Sequence, residues 1–210
     1  MGVLRMKKKI IIGFALTLGL GTGIYIYADQ NIVETRNLHG GMMATYENYE
    51  DHLNSSDLVV IGEVVGEPKN VLTPFGEDNQ YLDGHHLSKI KISQVIKGEE
   101  TIKKVTDVRE PYFTVEKGLL PGEVETFYGD YTKMEKGNQY LLFLQWEDDW
   151  GAYGISSAHE GKFNLDGKDK AEQKMVQKNE KIKKLKEDIL KNEKIKKLRE
   201  DIFSNQEESM

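Results

Sequence analysis

Two short, almost uninterrupted apolar runs limit the folds open to this chain: Asp57 to Glu67 (DLVVIGEVVGE) and Gln139 to Trp146 (QYLLFLQW). Each is too short and too apolar for a surface helix, and the first is rich in β-branched residues, so both read as strands buried over most of their length. Between them, His86 to Lys97 alternates. His86, Ser88, Ile90, Ile92 and Gln94 point one way, Leu87, Lys89, Lys91 and Ser93 the other, which is the period of a half-buried strand. Weaker strand signals lie at Thr101 to Val108 and Tyr112 to Val115, followed by a Pro121-Gly122 turn, and closing strands at Ala152 to Ile155 and Gly161 to Leu165. No amphipathic crossover helix separates these strands, which disfavours a parallel α/β sheet and predicts a mainly β, antiparallel architecture. Ahead of them, Met42, Tyr46, Tyr49 and Leu53 recur at helical spacing, so a short helix is expected before Asn54-Ser55-Ser56.

Charge divides the 210 residues into three parts. Residues 1–28 hold Arg5, Lys7, Lys8 and Lys9 and no acid; residues 29–166 are strongly acidic; residues 167–210 are rich in both signs. The uncharged apolar stretch from Ile10 to Tyr27 behind a basic flank predicts a signal peptide or an N-terminal membrane anchor, with everything after it extracytoplasmic. Its 18 residues extend roughly 27 Å as a helix, which leaves both fates open. Gly19 and Gly23 form a GxxxG inside the stretch, read as ordinary leader glycine. Cysteine is absent, so disulfides, thiolate metal sites and cysteine nucleophiles are excluded and stability must come from core burial.

In the last part, Asn179 to Leu190 (NEKIKKLKEDIL) is repeated at Asn192 to Phe203 (NEKIKKLREDIF) with a 13-residue step. Ile182, Leu185 and Ile189, and again Ile195, Leu198 and Ile202, fall at helical spacing. Thirteen residues at about 100° each turn the second stripe by about 220°, so one straight helix cannot offer both copies to one surface, and a break is expected near Lys191-Asn192. A duplication of this kind suggests a surface helix or short coiled coil whose length is not fixed by packing on the β domain.

The order SDLVVIGEVVGE, variable loop, KIKISQVIKGEE, variable stretch, KGNQYLLFL and a GKF close resembles the netrin-like module of tissue inhibitors of metalloproteinases, and a group of exported bacterial proteins with the same layout. The resemblance spans roughly Ser56 to Leu165. It implies a small antiparallel OB-type barrel, here with a short N-terminal helix and a C-terminal helical tail: leader 1–28, barrel 29–166, tail 167–210. The inhibitors chelate the protease zinc through an N-terminal cysteine, and no position here can do so, so the resemblance implies the fold and not that mechanism.

Chemical motifs are sparse. Asp83-Gly84-His85-His86 is the one histidine cluster, but neighbours on a strand face opposite ways, so both rings reach one metal only from a loop. Glu147-Asp148-Asp149 and Asn164 to Asp169 look like calcium loops without their full ligand set and read as solvated turns. There is no GxSxG, no SxxK and no ordered Ser, His, Asp set. Tyr112, Phe113, Tyr128, Tyr131, Trp146, Trp150 and Tyr153 offer a stacking platform if they are not core. No catalytic, cofactor-binding or metal-ligating residue is assigned.

The reading is therefore an exported, non-enzymatic extracytoplasmic binding module for a protein or cell-envelope ligand, in contact with the membrane through its leader. A body with 12 basic against 25 acidic residues is not expected to bind nucleic acid. Two alternatives stand beside it: an envelope hydrolase or metal-binding protein that uses Asp83, His85 or His86 from a pocket, and a structural envelope protein that self-associates through its tail.

Overall fold

The computed structural model describes residues 31–38, 44–75, 81–99, 102, 104–118 and 120–207. The leader, where a signal peptide or anchor is expected, lies outside them, and among the described residues no helix is long and apolar enough to cross a membrane. The chain is mainly β, with four α-helices among the described residues. In order, the elements are β1 (Ile32–Leu38), α1 (Tyr49–Ser55), β2 (Leu58–Phe75), β3 (Tyr81–Lys97), β4 (Val105–Glu110), β5 (Tyr112–Glu116), β6 (Glu123–Tyr128), β7 (Gln139–Glu147), β8 (Ala152–Ile155), a 3-10 turn (Ala158–Glu160), β9 (Lys162–Asn164), α2 (Lys170–Lys178), α3 (Glu180–Lys191) and α4 (Glu193–Glu207).

These elements form two compact units. The smaller unit, described residues 31–36, 114–118 and 120–126, contains most of a three-stranded sheet in the order β1-β6-β5. Neither β1 nor β6 is expected from the sequence, where IVETRNL and EVETFY are too polar to stand out. The turn at Pro121-Gly122 closes β5 onto β6 through Lys117 N–H to the Gly122 carbonyl at 2.9 Å. Gly122 sits at φ +117° with the Val33 side chain where a Cβ would go, so only glycine fits.

The larger unit is built on a six-stranded sheet in the order β2-β3-β4-β8-β7-β9. All its pairings are antiparallel except β4 with β8, and β2 also pairs with β7, so the ladder returns to its starting strand. β2 is longer than the sequence suggests. The apolar run read as this strand stops at Glu67, ahead of Pro68, yet the strand runs on to Phe75. The register against β3 shifts between Val65 and Lys69, and Gly66 takes φ +81°, so Pro68 falls in a bulge where its missing N–H breaks no ladder bond. β3 likewise begins at Tyr81 rather than His86.

Alternation along β2 and β7 feeds two cores. Leu58, Val60, Val64, Tyr140, Leu142 and Leu144 enter one, with Ile90, Val108, Tyr112 and Tyr131. Val59, Ile61, Leu141, Phe143, Phe163 and Leu165 enter the other, with Tyr49 of α1 and Ile182, Leu185, Ile189, Ile195 and Ile202 of the tail helices. The unbroken apolar runs follow from this arrangement, because both faces of these strands are covered. α1 is shorter than the expected helix and starts at an Asn48 cap whose side chain accepts the Asp51 N–H at 2.9 Å.

The tail departs from its expectation. It is not a surface helix free of the β domain: Ile182, Ile189 and Ile195 are fully buried and Leu185 almost so. The two rotated stripes reach one core because the helix breaks at Asn192. Asn179 caps α3 by accepting the Lys181 and Ile182 N–H groups, and its repeat Asn192 does the same for Lys194 and Ile195. The first copy is also pinned by polar contacts, Lys181 to Glu160 at 2.9 Å, Lys186 to Glu172 at 2.7 Å and the Asp188 carboxylate to the Tyr49 N–H at 2.9 Å.

Candidate functional site

The Asp83 to His86 segment is strand, not loop. It pairs along β2 from Thr73↔Asp83 to Asn70↔His86 and lines neither of the two grooves described below. His85 and His86 are both buried and part company. His86 stacks on Tyr112, centroids 4.0 Å apart, and its Nδ1 donates to the Tyr112 carbonyl at 3.0 Å. His85 meets Trp150 edge-on at 4.6 Å, and burial, aided by the nearby Arg109 charge, pushes its pKa down to about 4. Asp83 accepts the Gly84 N–H at 2.6 Å and a short bond from the Tyr128 hydroxyl. Among the described residues no group of three or more His, Cys, Asp or Glu could hold a metal ion.

The acidic turn from Asn164 to Asp169 also has structural duties. Asp166, read from sequence as part of a solvated turn, is buried and bonds Asn164 Nδ2, the Lys168 N–H and the Gln139 N–H. Asp169 is fully buried and caps α2 through the Glu172 N–H at 2.8 Å. Its other oxygen accepts from Tyr140 and from Lys162 Nζ, both at 3.1 Å. Lys162 is itself fully buried, its second carboxylate neighbour being Glu172 at 3.8 Å. Glu110, also fully buried, accepts from Ser88, Tyr131 and the Met134 N–H; burial raises its pKa against those bonds and the charge of Lys162. This polar cluster ties the tail to the sheet. Glu110 and Lys162 carry no motif that would single them out in the sequence.

The aromatic residues divide. Tyr112, Phe113 and Tyr131 are core, whereas Trp146 and Trp150 remain 47% and 40% exposed. A groove of about 660 Å³ runs beside Trp146, lined also by Tyr153, Ile102, Asp57, Glu99 and Asp107. β7 delivers Trp146 and β8 delivers Tyr153 directly opposite it in register, and the rings meet edge-on at 5.1 Å. The Trp146 indole N–H donates to Asp148 Oδ1 at 2.8 Å, and its backbone N–H to Asp57 Oδ2 at 2.8 Å. Partial burial, then the negative charges of Asp57 and Glu99, raises the Tyr153 pKa. An exposed indole is therefore held in one orientation at the wall of this groove. Nearby, a second groove of about 420 Å³ is lined by Arg109, Glu147, Asp148, Asp149 and Trp150.

No protein-family model matches the chain, and no curated protein is similar to it.

Proposed function

We propose that this chain is an exported, non-enzymatic binding module that takes its ligand at the Trp146–Tyr153 groove. The observation that carries the reading is the exposed indole of Trp146, oriented by its bond to Asp148 at the wall of a groove that Tyr153 and Ile102 also line, an aromatic anchor suited to recognition. The fold reading belongs with it: the ring of pairings β2-β3-β4-β8-β7 supports an OB-type barrel similar to the netrin-like module. The basic-then-apolar leader supports extracytoplasmic placement, by secretion or by a membrane tether. The ligand is then a protein or another component of the cell envelope.

The bait for a test must keep the tail, because residues 167–210 complete a core. Residues 29–210 and the same chain with Trp146→Ala are presented to cell-envelope extract. A component retained by the first and lost from the second is expected; equal retention by both would refute the groove. Fractionation of the tagged full chain checks placement, and recovery in the cytoplasm alone would refute export.

A further inference from the structure

We propose that Lys162 and Asp169 condense into an intramolecular amide bond, a covalent link from β9 to the first tail helix. Lys162 Nζ lies 3.1 Å from Asp169 Oδ2, and neither side chain has any exposed surface. Glu172, equally buried, places Oε2 3.8 Å from the same Nζ. An amine, a carboxyl to acylate it and a second carboxyl to carry protons therefore share one closed site. Their positions are fixed from several sides. Nζ also donates to Thr132 Oγ1 at 3.1 Å and lies 5.0 and 5.5 Å from the Tyr140 and Tyr131 ring centroids. Asp169 is the N-cap of α2, so its Oδ1 accepts the Glu172 N–H at 2.8 Å, while Oδ2 accepts the Tyr140 hydroxyl at 3.1 Å. Glu172 is turned inward by its bonds to the Asn164 N–H and to Lys186.

The reaction needs only these groups. One proton passes from Nζ to Oδ2 and turns ammonium and carboxylate into amine and carboxylic acid, the pair that a low-dielectric site favours. The Nζ lone pair attacks Cγ, and the carbonyl electrons move to Oδ1, where the Glu172 N–H at the start of α2 stabilises the charge. The Glu172 carboxylate takes a proton from the nitrogen and passes it to the hydroxyl at Oδ2. Oδ1 then regains its double bond to Cγ, one water leaves, and a secondary amide remains. Two forces favour the product: the reactants are held in contact, and burial keeps away the bulk water that drives hydrolysis. Oδ1 still caps α2 afterwards, so the helix keeps its start. In a chain without cysteine, the bond fastens the tail where a disulfide cannot. The proposal is independent of the ligand groove.

Mass spectrometry of the purified full chain tests this. Unfolding followed by cleavage after Glu160 and Glu172 releases residues 161–172, with both partners in one fragment. The fragment is expected to be lighter than its sequence by one water, with Lys162 unreactive to amine-labelling reagents. A succinimide at Asp166-Gly167 would lose the same mass, but it hydrolyses in mild alkali and leaves Lys162 reactive. Lys162→Arg keeps a cation without the nucleophile, and its fragment should have full mass. Asp169→Asn should give the same amide, with ammonia leaving in place of water. Glu172→Gln, read on the fragment that ends at Glu180, should slow the bond by about a hundredfold or more. Full mass in the unaltered chain, a loss that alkali reverses, or a loss that persists in Lys162→Arg overturns the cross-link. An undiminished rate in Glu172→Gln overturns Glu172 as proton carrier, and an amide mapped to Glu172 overturns Asp169 as the acceptor.

Discussion

Acid should unfold this protein partly through His52. The ring is fully buried between Tyr46 and Phe143, with centroids 4.0 and 3.8 Å away and planes nearly parallel, and neither of its nitrogens has a hydrogen-bond partner among the described residues. Burial lowers its pKa from 6.5 to about 3. A base with a lowered folded-state pKa binds its proton more readily when unfolded. Stability from this group is therefore intact above about pH 6.5 and is lost as the pH falls toward 3, by about 1.4 kcal/mol per pH unit. At pH 4 the loss reaches roughly 3 kcal/mol, a large share of the 5–15 kcal/mol typical of a domain. His52→Phe keeps a flat ring in the stack and removes the titration. Urea unfolding of residues 29–210 and of the variant, at pH 7 and pH 4, isolates the effect because every other titrating group is common to both. The variant should gain roughly 3 kcal/mol on the parent between the two pH values. Parallel losses in the two proteins would refute the argument.

Lys162→Met removes the cation from a fully buried pair and leaves Asp169 and Glu172 facing each other with fewer partners. A cost of about 3–5 kcal/mol is expected by urea unfolding at pH 7, and a neutral outcome would mean that the cluster does not tie the tail to the sheet. Ile189→Ala, in the first repeat copy, should cost about 2–5 kcal/mol because Ile189 has no exposed surface. A cost below about 0.5 kcal/mol, the range of ordinary surface changes, would show that the helix does not pack on the sheet in solution.

Much of the larger unit was legible because period and run length are local signals. The alternation at Ser88, Ile90 and Ile92, the run from Tyr140 to Leu144 and the strand at Ala152 to Ile155 all lie in strands, and the repeat's helices break where the 13-residue step requires it. What escaped depends on distant partners. The apolar runs Leu58 to Ile61 and Tyr140 to Leu144 demand cover on both faces of their strands, and the Ile stripes of the repeat supply one of those covers, yet no local pattern joins residues so far apart. β1 and β6 are exposed along much of one strand and short in the other, so pairing and not composition makes them strands. The groove was half visible. Trp146, Trp150 and Tyr153 were identifiable as aromatics, but core Tyr112 and exposed Trp146 look alike until register decides which side each faces.

The second core closes with residues synthesised after the strands they cover. Ile182, Leu185, Ile189, Ile195 and Ile202 arrive after Val59, Ile61, Leu141 and Phe143 are already made, so a nascent chain carries a bare apolar sheet face until the repeat has emerged. In that interval the chain is a natural client for a holding chaperone and a target for proteases. A stop codon or frameshift anywhere in the repeat would convert this passing exposure into a permanent one, and such a product would be cleared or aggregate even though its β strands are complete.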